Sequence, residues 1–305
     1  MMKLRPHIVC KIWGGKLLSS LKKIDSKEPI GESWELSILP EGESSFMGKK
    51  LSTLIDSTRL PYLIKFIDTS DTLSVQVHPD EFYASQNENA KGKTECWLIL
   101  EAGEGAGIYL GFIEGVTKEK FEKAIRARED LTPYLRFYPV KKGDFFYVPA
   151  GSVHAIGKNV FLAEVQESSG ITYRVWDFNR LEKGKPRELH IDKALDVLNF
   201  APEANEAMYF RAREDLFSYN GEQEILTEKL FKLDLINLVP NEVLEKNLLK
   251  SERPISFVCF EGKGLLRLKE NELFFESYET ILIPAEDEGT LEIFAHEKVS
   301  FILVS

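Results

Sequence analysis

Short runs of alternating apolar and polar residues, separated by Gly, Pro and Asp, make up most of the chain. This alternation predicts β-strands, because successive side chains of a strand point to opposite faces. The predicted strands are PYLIKFID (61–68), TLSVQVH (72–78), ECWLILEA (95–102), DFFYVPA (144–150), VFLAEVQES (160–168), SFVCFEG (256–262), GLLRLKE (264–270) and ETILIPA (279–285). Many short strands at this spacing indicate a mainly β protein of the sandwich or barrel type.

Helical spacing of apolar residues occurs in only three segments. TKEKFEKAIRARED (117–130) has Thr117 as a candidate N-cap, HIDKALDVLNF (190–200) has one apolar stripe, and LSTLIDSTRL (51–60) is weaker. The polar segment 199–210, which contains Pro202, follows the second helix. It predicts a boundary between two domains, residues 1–200 and 201–305.

A weak internal repeat supports two domains of similar construction. GDFFYVPAGSVHA (143–155) and YETILIPAEDEGT (278–290) share an acidic residue, a strand and a Pro-Ala pair at matching positions. His154 in the first copy corresponds to Gly289 in the second. We therefore expect the second domain to repeat the fold without the chemistry.

Composition and charge exclude some classes of partner. The 305 residues are 43% hydrophobic and 29% charged, with a net charge of −10 and a pI of about 5.2. Such an acidic protein is a poor binder of nucleic acid or anionic membranes, although a locally basic pocket can still hold a small anion. We expect no nucleic-acid or membrane partner.

The cysteines and the apolar runs indicate a cytoplasmic protein. Cys10, Cys96 and Cys259 are far apart and form no CxxC pair, which argues against both a disulfide framework and a thiolate zinc site. The first 15 residues lack the apolar core of a signal peptide. No apolar run approaches the length needed to cross a membrane.

The stretch LSVQVHPD (73–80) is the first candidate for chemistry. Gln76 and His78 share one face of a predicted strand that stops at Pro79, and solvated strand faces more often carry Lys, Glu or Thr. A polar outer face that happens to include a histidine is the alternative.

A second motif supplies a partner for this pair. GDFFYVPAGSVH has the form G-D-x4-P-x-G-x2-H, which resembles the second half-motif of the cupin barrel and ends at His154. In cupins the first half-motif is H-x-H followed by Glu, and that place is occupied here by Gln76, His78 and Glu95. Two imidazoles, a carboxylate and an amide suit Zn²⁺, one ion per chain, while Mn²⁺, Fe²⁺, Co²⁺ and Ni²⁺ remain possible.

Over most of residues 1–200 the chain resembles the type I mannose-6-phosphate isomerases of the short, bacterial or archaeal kind. The matching stretches, in family order, are Trp13-Gly14-Gly15, GESWELS (31–37), LIKFID (63–68), LSVQVHPD (73–80), GKTECW (92–97), PAGSVHAIG (149–157), EVQESSGITYRVWDF (164–178) and KPRELHIDKALDVL (185–198). The C-terminal hundred residues match only in general character. The resemblance implies two cupin-type jelly-roll domains with a few helices.

The activity implied by the resemblance is zinc-dependent interconversion of mannose 6-phosphate and fructose 6-phosphate. The implied metal ligands are Gln76, His78, Glu95 and His154. The remaining implied pocket residues are Arg174 beside the reacting carbons, the catalytic lysines Lys65 and Lys93, the serine Ser74 and the aromatic wall Trp13. A sugar phosphate is then the expected partner, bound by a monomer or a homodimer.

Two departures from the family pattern affect the expected chemistry. Gly170 stands where the family usually has Asp before the TYR triplet, so a carboxylate is missing, and Ile156 stands where many relatives have Tyr. The proton carrier therefore stays open among a metal-bound water, a carboxylate and a pocket lysine. Lys93, Arg174, Arg187 or Lys185 can receive the phosphate.

Two other functions remain possible at this point. One is a metal-dependent cupin that acts on another sugar or catalyses another reaction. The other is a non-catalytic, sugar-binding cupin, which the missing carboxylate at Gly170 favours. The complete ligand set together with Lys65, Lys93 and Arg174 favours the isomerase.

Overall fold

The computed structural model describes all 305 residues and is built mainly of β-strands, as the alternation predicted. The strands are β1 Met2–Lys3, β2 His7–Gly15, β3 Ile30–Leu36, β4 Ser45–Phe46, β5 Lys49–Lys50, β6 Tyr62–Asp68, β7 Val75–Val77, β8 Glu95–Ala102, β9 Gly107–Phe112, β10 Leu135–Pro139, β11 Phe145–Val148, β12 His154–Ile156, β13 Val160–Glu167, β14 Tyr173–Trp176, β15 Leu181–Glu182, β16 Lys185–Pro186, β17 Gly221–Thr227, β18 Lys232–Leu238, β19 Val243–Leu248, β20 Ile255–Glu261, β21 Lys263–Leu268, β22 Asn271–Glu276, β23 Thr280–Ile283, β24 Gly289–Ala295 and β25 Val299–Val304.

Four short α-helices interrupt the strands. They are α1 Leu17–Leu21, α2 Glu81–Asn87, α3 Lys118–Ala127 and α4 Ile191–Val197. The prediction for α3 is confirmed, including the cap, because the Thr117 side chain accepts a hydrogen bond from the Lys120 N–H. The predicted third helix, 51–60, is wrong: the segment forms two 3₁₀ turns. The Asp56 side chain accepts from the Thr58 N–H and starts a second turn there.

The strands form two pairs of sheets, which is the predicted cupin-type architecture. The first pair consists of a six-stranded sheet, β11-β8-β13-β6-β3-β2, and a five-stranded sheet, β10-β9-β12-β7-β14. The second pair consists of a six-stranded sheet, β1-β23-β20-β25-β18-β17, and a four-stranded sheet, β19-β24-β21-β22. Two small hairpins, β4-β5 and β15-β16, complete the set.

Contacts along the chain define two compact units, each built from several segments. Unit 1 contains Met1–Ile8, Trp34–Ile64 and Phe217–Ser305, and unit 2 contains Val9–Ser33 and Lys65–Leu216. The assignment of metal chemistry to residues 1–200 and of a degenerate copy to 201–305 stays a prediction.

Each unit has an apolar interior that fixes its strands. In unit 2, residues of β7, β12 and β14 pack with Phe121 of α3 and Leu195 of α4. A neighbouring cluster holds Trp13, Trp97 and Phe146. In unit 1, Phe257, Phe275 and Phe301 form the centre of a separate core. None of the helices is both long and apolar enough to cross a membrane.

Candidate metal centre and active site

Strand pairing in unit 2 brings together residues that are far apart in the sequence. β12 pairs with β7 so that His154 lies opposite Gln76. β11 pairs with β8 so that Val148 lies opposite Glu95. The turn between β11 and β12 therefore connects the strand that pairs with Glu95 to the strand that pairs with Gln76. His154 begins the second of these strands, so its imidazole lies between Glu95 and Gln76.

The end of β7 explains the unusual polar face of LSVQVHPD. His78 follows β7 directly, and the Asp80 side chain then accepts a hydrogen bond from the Tyr83 N–H at 2.7 Å. That bond is the N-cap of α2, a helix that the sequence patterns did not predict. The strand thus ends in a capped helix, and His78 is held at the junction.

His78, Glu95 and His154 form a buried cluster with the composition of a metal site. Their candidate ligand atoms all lie within 4.8 Å of one another. Each imidazole Nε2 is 3.4 Å from an oxygen of the Glu95 carboxylate. All three side chains are at most 2% exposed.

The hydrogen bonds of the two imidazoles leave their metal-binding nitrogens free of protons. His78 Nδ1 donates to the Ile171 carbonyl at 2.8 Å, and His154 Nδ1 donates to the Ser152 carbonyl at 3.0 Å. Each Nε2 therefore presents a lone pair towards the carboxylate. Four acceptor atoms facing one another in a buried space fit a divalent cation.

Burial keeps both imidazoles neutral. It lowers the pKa of His78 to about 3, with the Lys93 charge adding to the effect, and it also lowers the pKa of His154. Neutral imidazole is the form that binds metal, so both histidines are ready to act as ligands near neutral pH.

Gln76 can supply a fourth ligand. Its amide nitrogen lies 3.2 Å from His154 Nε2, and a half-turn of the amide group places the carbonyl oxygen there instead. The four predicted ligands are therefore neighbours in space, with Gln76 on the less buried side.

Lys93 is the cation closest to this cluster. Its ammonium group is 2.9 Å from Glu95 Oε2 and 3.1 Å from His78 Nε2. Burial alone would raise the pKa of Glu95, but the charge of Lys93 outweighs burial and holds that pKa well below its ordinary value. Burial alone would lower the pKa of Lys93, but Glu95 and Glu164 raise it.

A second buried group lies on β13 and includes a residue that the sequence reasoning missed. Lys65 Nζ donates to Gln166 Oε1 at 2.9 Å and is 3.4 Å from Glu164 Oε1. The other Glu164 oxygen accepts from Trp97 Nε1 at 3.1 Å. Burial, together with the Glu95 charge, raises the pKa of Glu164. Glu164 and Gln166 repeat, in an apolar run, the polar i, i+2 pattern that singled out Gln76 and His78.

A pocket of about 320 Å³ adjoins the cluster through Gln76 and Lys93. Trp13 and Ser74 line it, as the resemblance implied, and so do Gly170 and Ile156. Its charged lining residues are Lys11, Lys65, Lys93, Arg174 and Arg187 against Glu32 and Glu164. Cations thus outnumber carboxylates in the lining of a pocket that belongs to an acidic protein.

Arg174 is fixed in the pocket wall by several hydrogen bonds. Its guanidinium donates to Ser74 Oγ at 3.3 Å and to the Glu188 carbonyl at 2.9 Å. Its backbone N–H donates to His190 Nδ1 at 3.2 Å. Burial and the neighbouring Arg187 charge lower the pKa of Arg174. Two guanidinium groups therefore lie close together at one end of the pocket.

One of the candidates for the phosphate site lies outside the pocket. Lys185 is exposed on β16 and is not among the lining residues, whereas Arg187, two residues later, is.

No family model matches the chain. It is 43% identical over 212 residues to a protein named mannose-6-phosphate isomerase from Streptococcus mutans, an alignment covering 64% of this chain and 66% of that protein. It is 33% identical over 300 residues to mannose-6-phosphate isomerase ManA of Bacillus subtilis, covering 92% of this chain and 91% of that protein.

A solved structure extends the similarity to the whole fold. The mannose 6-phosphate isomerase structure from Bacillus subtilis superimposes with a TM-score of 0.83 at 28% identity. The superposition covers 100% of this chain and 99% of the other.

Proposed function

We propose that this chain, which belongs to the mannose-6-phosphate isomerase family, interconverts mannose 6-phosphate and fructose 6-phosphate in the pocket described above. The observation that carries the proposal is the combination of two features. A buried His–Glu–His cluster of metal-site composition adjoins, through Gln76 and Lys93, a pocket in whose lining cations outnumber carboxylates. A divalent ion held by the cluster would stabilise an oxyanion, and the excess of cations in the pocket lining suits a phosphate ester.

The metal of this site is proposed to be zinc, held by His78, Glu95, His154 and the Gln76 amide. Two neutral imidazoles and one carboxylate match the ligand set of Zn²⁺ sites. A divalent ion in this position supplies Lewis-acid stabilisation of the negative charge that develops on oxygen when a sugar carbonyl enolises.

Glu164 is our candidate for the proton carrier between C1 and C2. Its carboxyl group lines the pocket, and its raised pKa brings it closer to the working pH of a general acid or base. Trp97 and Lys65 fix its two oxygens. Glu164 thus provides the carboxyl group that Gly170 does not, whereas Glu95 is committed to the metal site.

The cationic side chains bind and orient the rest of the substrate. Arg174 and Arg187 are proposed to bind the phosphate, because two adjacent guanidinium groups can donate several hydrogen bonds to its oxygens. Lys93 donates towards the metal-site end of the pocket, where a substrate oxygen acquires charge. Lys65 holds the Glu164 carboxylate in place.

A coupled assay of mannose 6-phosphate conversion, with chelation and zinc addition, tests the proposal. We expect activity that is lost on chelation and restored by one zinc ion per chain. Absence of activity in protein that holds one metal per chain would favour another sugar substrate or a binding function instead.

A matched pair of variants tests the phosphate end of the pocket. Arg187→Gln should raise KM for mannose 6-phosphate about tenfold or more, because it removes a charge-assisted contact worth about 1.5 kcal/mol or more. Lys185→Gln, which changes the same charge outside the pocket, should leave KM unchanged. Equal effects of the two substitutions would show that Arg187 does not bind the phosphate.

We also expect the purified protein to contain zinc and to have the mass of a monomer or a homodimer in solution. Both quantities can be measured on one sample. A cytoplasmic location and the absence of nucleic-acid and membrane partners stay predictions of the composition.

A further inference from the structure

Gln166 is a buried amide whose two ends bond to different parts of the site. The residue is 0% exposed. Its amide nitrogen donates to the Glu167 carbonyl at 2.9 Å and to the Ser169 carbonyl at 2.8 Å. Because a carbonyl can only accept, both N–H bonds must point to these oxygens, and the amide oxygen must point the other way, towards Lys65. The turn after β13 therefore fixes the orientation of the amide.

The amide oxygen holds the ammonium group of Lys65 more closely than Glu164 does. Lys65 Nζ is 2.9 Å from Gln166 Oε1 and 3.4 Å from Glu164 Oε1. Gln166 and Glu164 are two residues apart on β13, so both side chains reach Lys65 from the same face of the sheet. A lysine has a flexible four-carbon stem and takes no fixed position by itself. The hydrogen bond to Gln166 therefore sets where the ammonium group lies relative to Glu164.

An amide suits this position better than a carboxylate or a hydrocarbon group does. Gln166 lies opposite Glu95 in the pairing of β13 with β8. A carboxylate at position 166 would add a third buried carboxyl group beside Glu95 and Glu164, and would face two carbonyls that cannot donate to it. An apolar side chain would give Lys65 no acceptor. Glutamine thus binds the ammonium group and leaves its charge to Glu164.

The same amide also reaches the loop beside the metal centre. Ser169, whose carbonyl accepts from Gln166, is followed by Gly170 in the pocket lining. The next residue, Ile171, supplies the carbonyl that accepts from His78 Nδ1. A role of Gln166 through Lys65 would affect proton transfer, whereas a role through this loop would affect metal binding. The two routes can therefore be distinguished.

We propose that Gln166 is a positioning residue that acts through Lys65: it holds the ammonium group at the place where it fixes the Glu164 carboxylate for proton transfer. This inference rests on the proposed function, in which Glu164 carries the proton between C1 and C2. Geometry comes first in general acid–base catalysis, because the carrier must reach its proton at hydrogen-bond distance. A displacement of about 1 Å can cost about a hundredfold in rate.

Asn205 provides a comparison, because it makes the same kinds of hydrogen bond without a lysine. It is 4% exposed, and its amide nitrogen donates to the Asn199 and Ala201 carbonyls at 3.0 and 2.8 Å. Its amide oxygen accepts from the Phe112 backbone N–H at 2.8 Å. Asn205 does not line the pocket beside the metal centre. It therefore represents the purely structural role of such an amide.

Variants that remove these two amides separate positioning from structure. Gln166→Met and Asn205→Leu roughly keep the side-chain volume and each remove two bonds to backbone carbonyls, so both should lower the midpoint of urea unfolding. Only Gln166→Met should lower kcat for mannose 6-phosphate, by about one to two orders of magnitude, with KM and zinc content unchanged. An equal loss of kcat in both variants, or loss of zinc in Gln166→Met, would overturn the proposal.

A double-mutant cycle tests whether Gln166 acts through Lys65. Lys65→Met should lower kcat at least as much as Gln166→Met does. Residues that act as a unit are not additive, so the two substitutions together should give a kcat within about twofold of that of Lys65→Met alone. A full second loss in the double variant would mean that Gln166 acts by another route, against the proposal. If Gln166→Met does not fold, Gln166→Asn, which withdraws the amide oxygen by one methylene, takes its place with the same expectations.

A spectroscopic measurement tests the geometry without reference to activity. The Trp97 indole N–H donates to Glu164 Oε2, so its NMR resonance, assigned with Trp97→Phe, reports on that carboxylate. The resonance should move to similar positions in Gln166→Met and Lys65→Met, and should stay in place in Asn205→Leu. An unchanged resonance in Gln166→Met would contradict the proposal. If the wild-type protein does not isomerise mannose 6-phosphate, the proposed function fails, while this resonance still shows whether Gln166 fixes the Lys65–Glu164 pair.

Discussion

Two strand–turn–strand segments of the chain, 143–156 and 278–295, share one layout and differ in chemistry. In each, a strand ends just before a Pro-Ala pair and the next strand begins after a short turn, at His154 in the first and at Gly289 in the second. The strand orders correspond as well: β11-β8-β13-β6 matches β23-β20-β25-β18, and β10-β9-β12-β7 matches β22-β21-β24-β19. The chain therefore builds the same frame twice.

The strand registers identify the counterparts of the site residues. Val148 lies opposite Glu95, and the matching residue Ile283 lies opposite Ile255, so Ile255 occupies the place of Glu95. The same procedure gives the other counterparts: Leu248 for Gln76, Phe257 for Trp97 and Leu303 for Glu164.

The comparison separates what the frame needs from what the chemistry needs. In unit 1 the counterparts Leu248, Phe257 and Leu303 belong to one buried apolar cluster. The same arrangement of strands therefore forms with apolar side chains at these positions. Burying carboxylates and imidazoles instead costs free energy of desolvation, so folding does not explain the residues of unit 2. A ligand does.

The largest expected effect comes from removing the imidazole that distinguishes the two turns. His154→Ala should abolish metal binding and lower kcat by about four orders of magnitude, because the Lewis acid is worth several kcal/mol in the transition state. Metal content and kcat measure it, with circular dichroism to show a folded protein. The control is His296→Ala, an exposed histidine in unit 1, which should change neither. Full metal content in His154→Ala would mean that the ligands are misassigned.

The next effect concerns the carboxylate whose counterpart is Leu303. Glu164→Gln should lower kcat about a thousandfold with the metal retained, because proton transfer by a positioned side chain contributes 10²- to 10⁴-fold. The basic or acidic limb of the pH–rate profile that belongs to Glu164 should disappear. Glu101→Gln, a surface change on β8, is the control. An unchanged kcat would remove Glu164 from the mechanism.

The reciprocal substitution tests the cost of a carboxylate in the frame. Leu303→Glu should destabilise the protein by about 3 kcal/mol. In unit 2 the matching Glu164 is stabilised by Lys65 and Trp97, whereas Leu303 lies in an apolar cluster. Leu303→Met, which keeps the volume, should cost less than about 1.5 kcal/mol. Urea unfolding measures both. Similar values for the two variants would show that the second frame tolerates a buried charge.

That Gln76, His78, Glu95 and His154 come together could be predicted from the sequence because the signals are local. The polar face of LSVQVHPD and the Pro-Ala-Gly turn each place a ligand near a strand end, and pairing of those ends follows from the fold. Glu164 was missed because the VFLAEVQE run was interpreted only as a strand, although a buried Glu in an apolar run is itself a signal. Arg187 was one of several candidates because its position depends on the β15-β16 hairpin.

Two features of the fold could not be predicted from local sequence patterns. No pattern in residues 34–64 indicates that they belong to the compact unit that contains 217–305, since that grouping depends on contacts across more than a hundred residues. Helix α2 was missed because its seven residues are too short for a helical period to stand out, and its single clear signal is the Asp80 cap.

The smallest expected effect is the pH dependence that the imidazoles give to unit 2 in the metal-free protein. In the folded chain, burial lowers the pKa of His78 to about 3, so His78 stays neutral, whereas the unfolded chain takes up a proton below its ordinary pKa of about 6.5. Unfolding then binds protons, so the free energy of unfolding decreases as the pH is lowered through this window. Between about pH 7 and about pH 5, His78 alone should cost about 2 kcal/mol in chelated protein. His78→Leu combined with His154→Leu removes both imidazoles and should flatten the slope measured by calorimetry. Metal-loaded wild-type protein should show a steeper slope, because protons also displace the metal. Parallel slopes for the chelated wild type and the double variant would mean that the imidazoles are not held neutral, and that the two frames differ less in their interiors than the registers indicate.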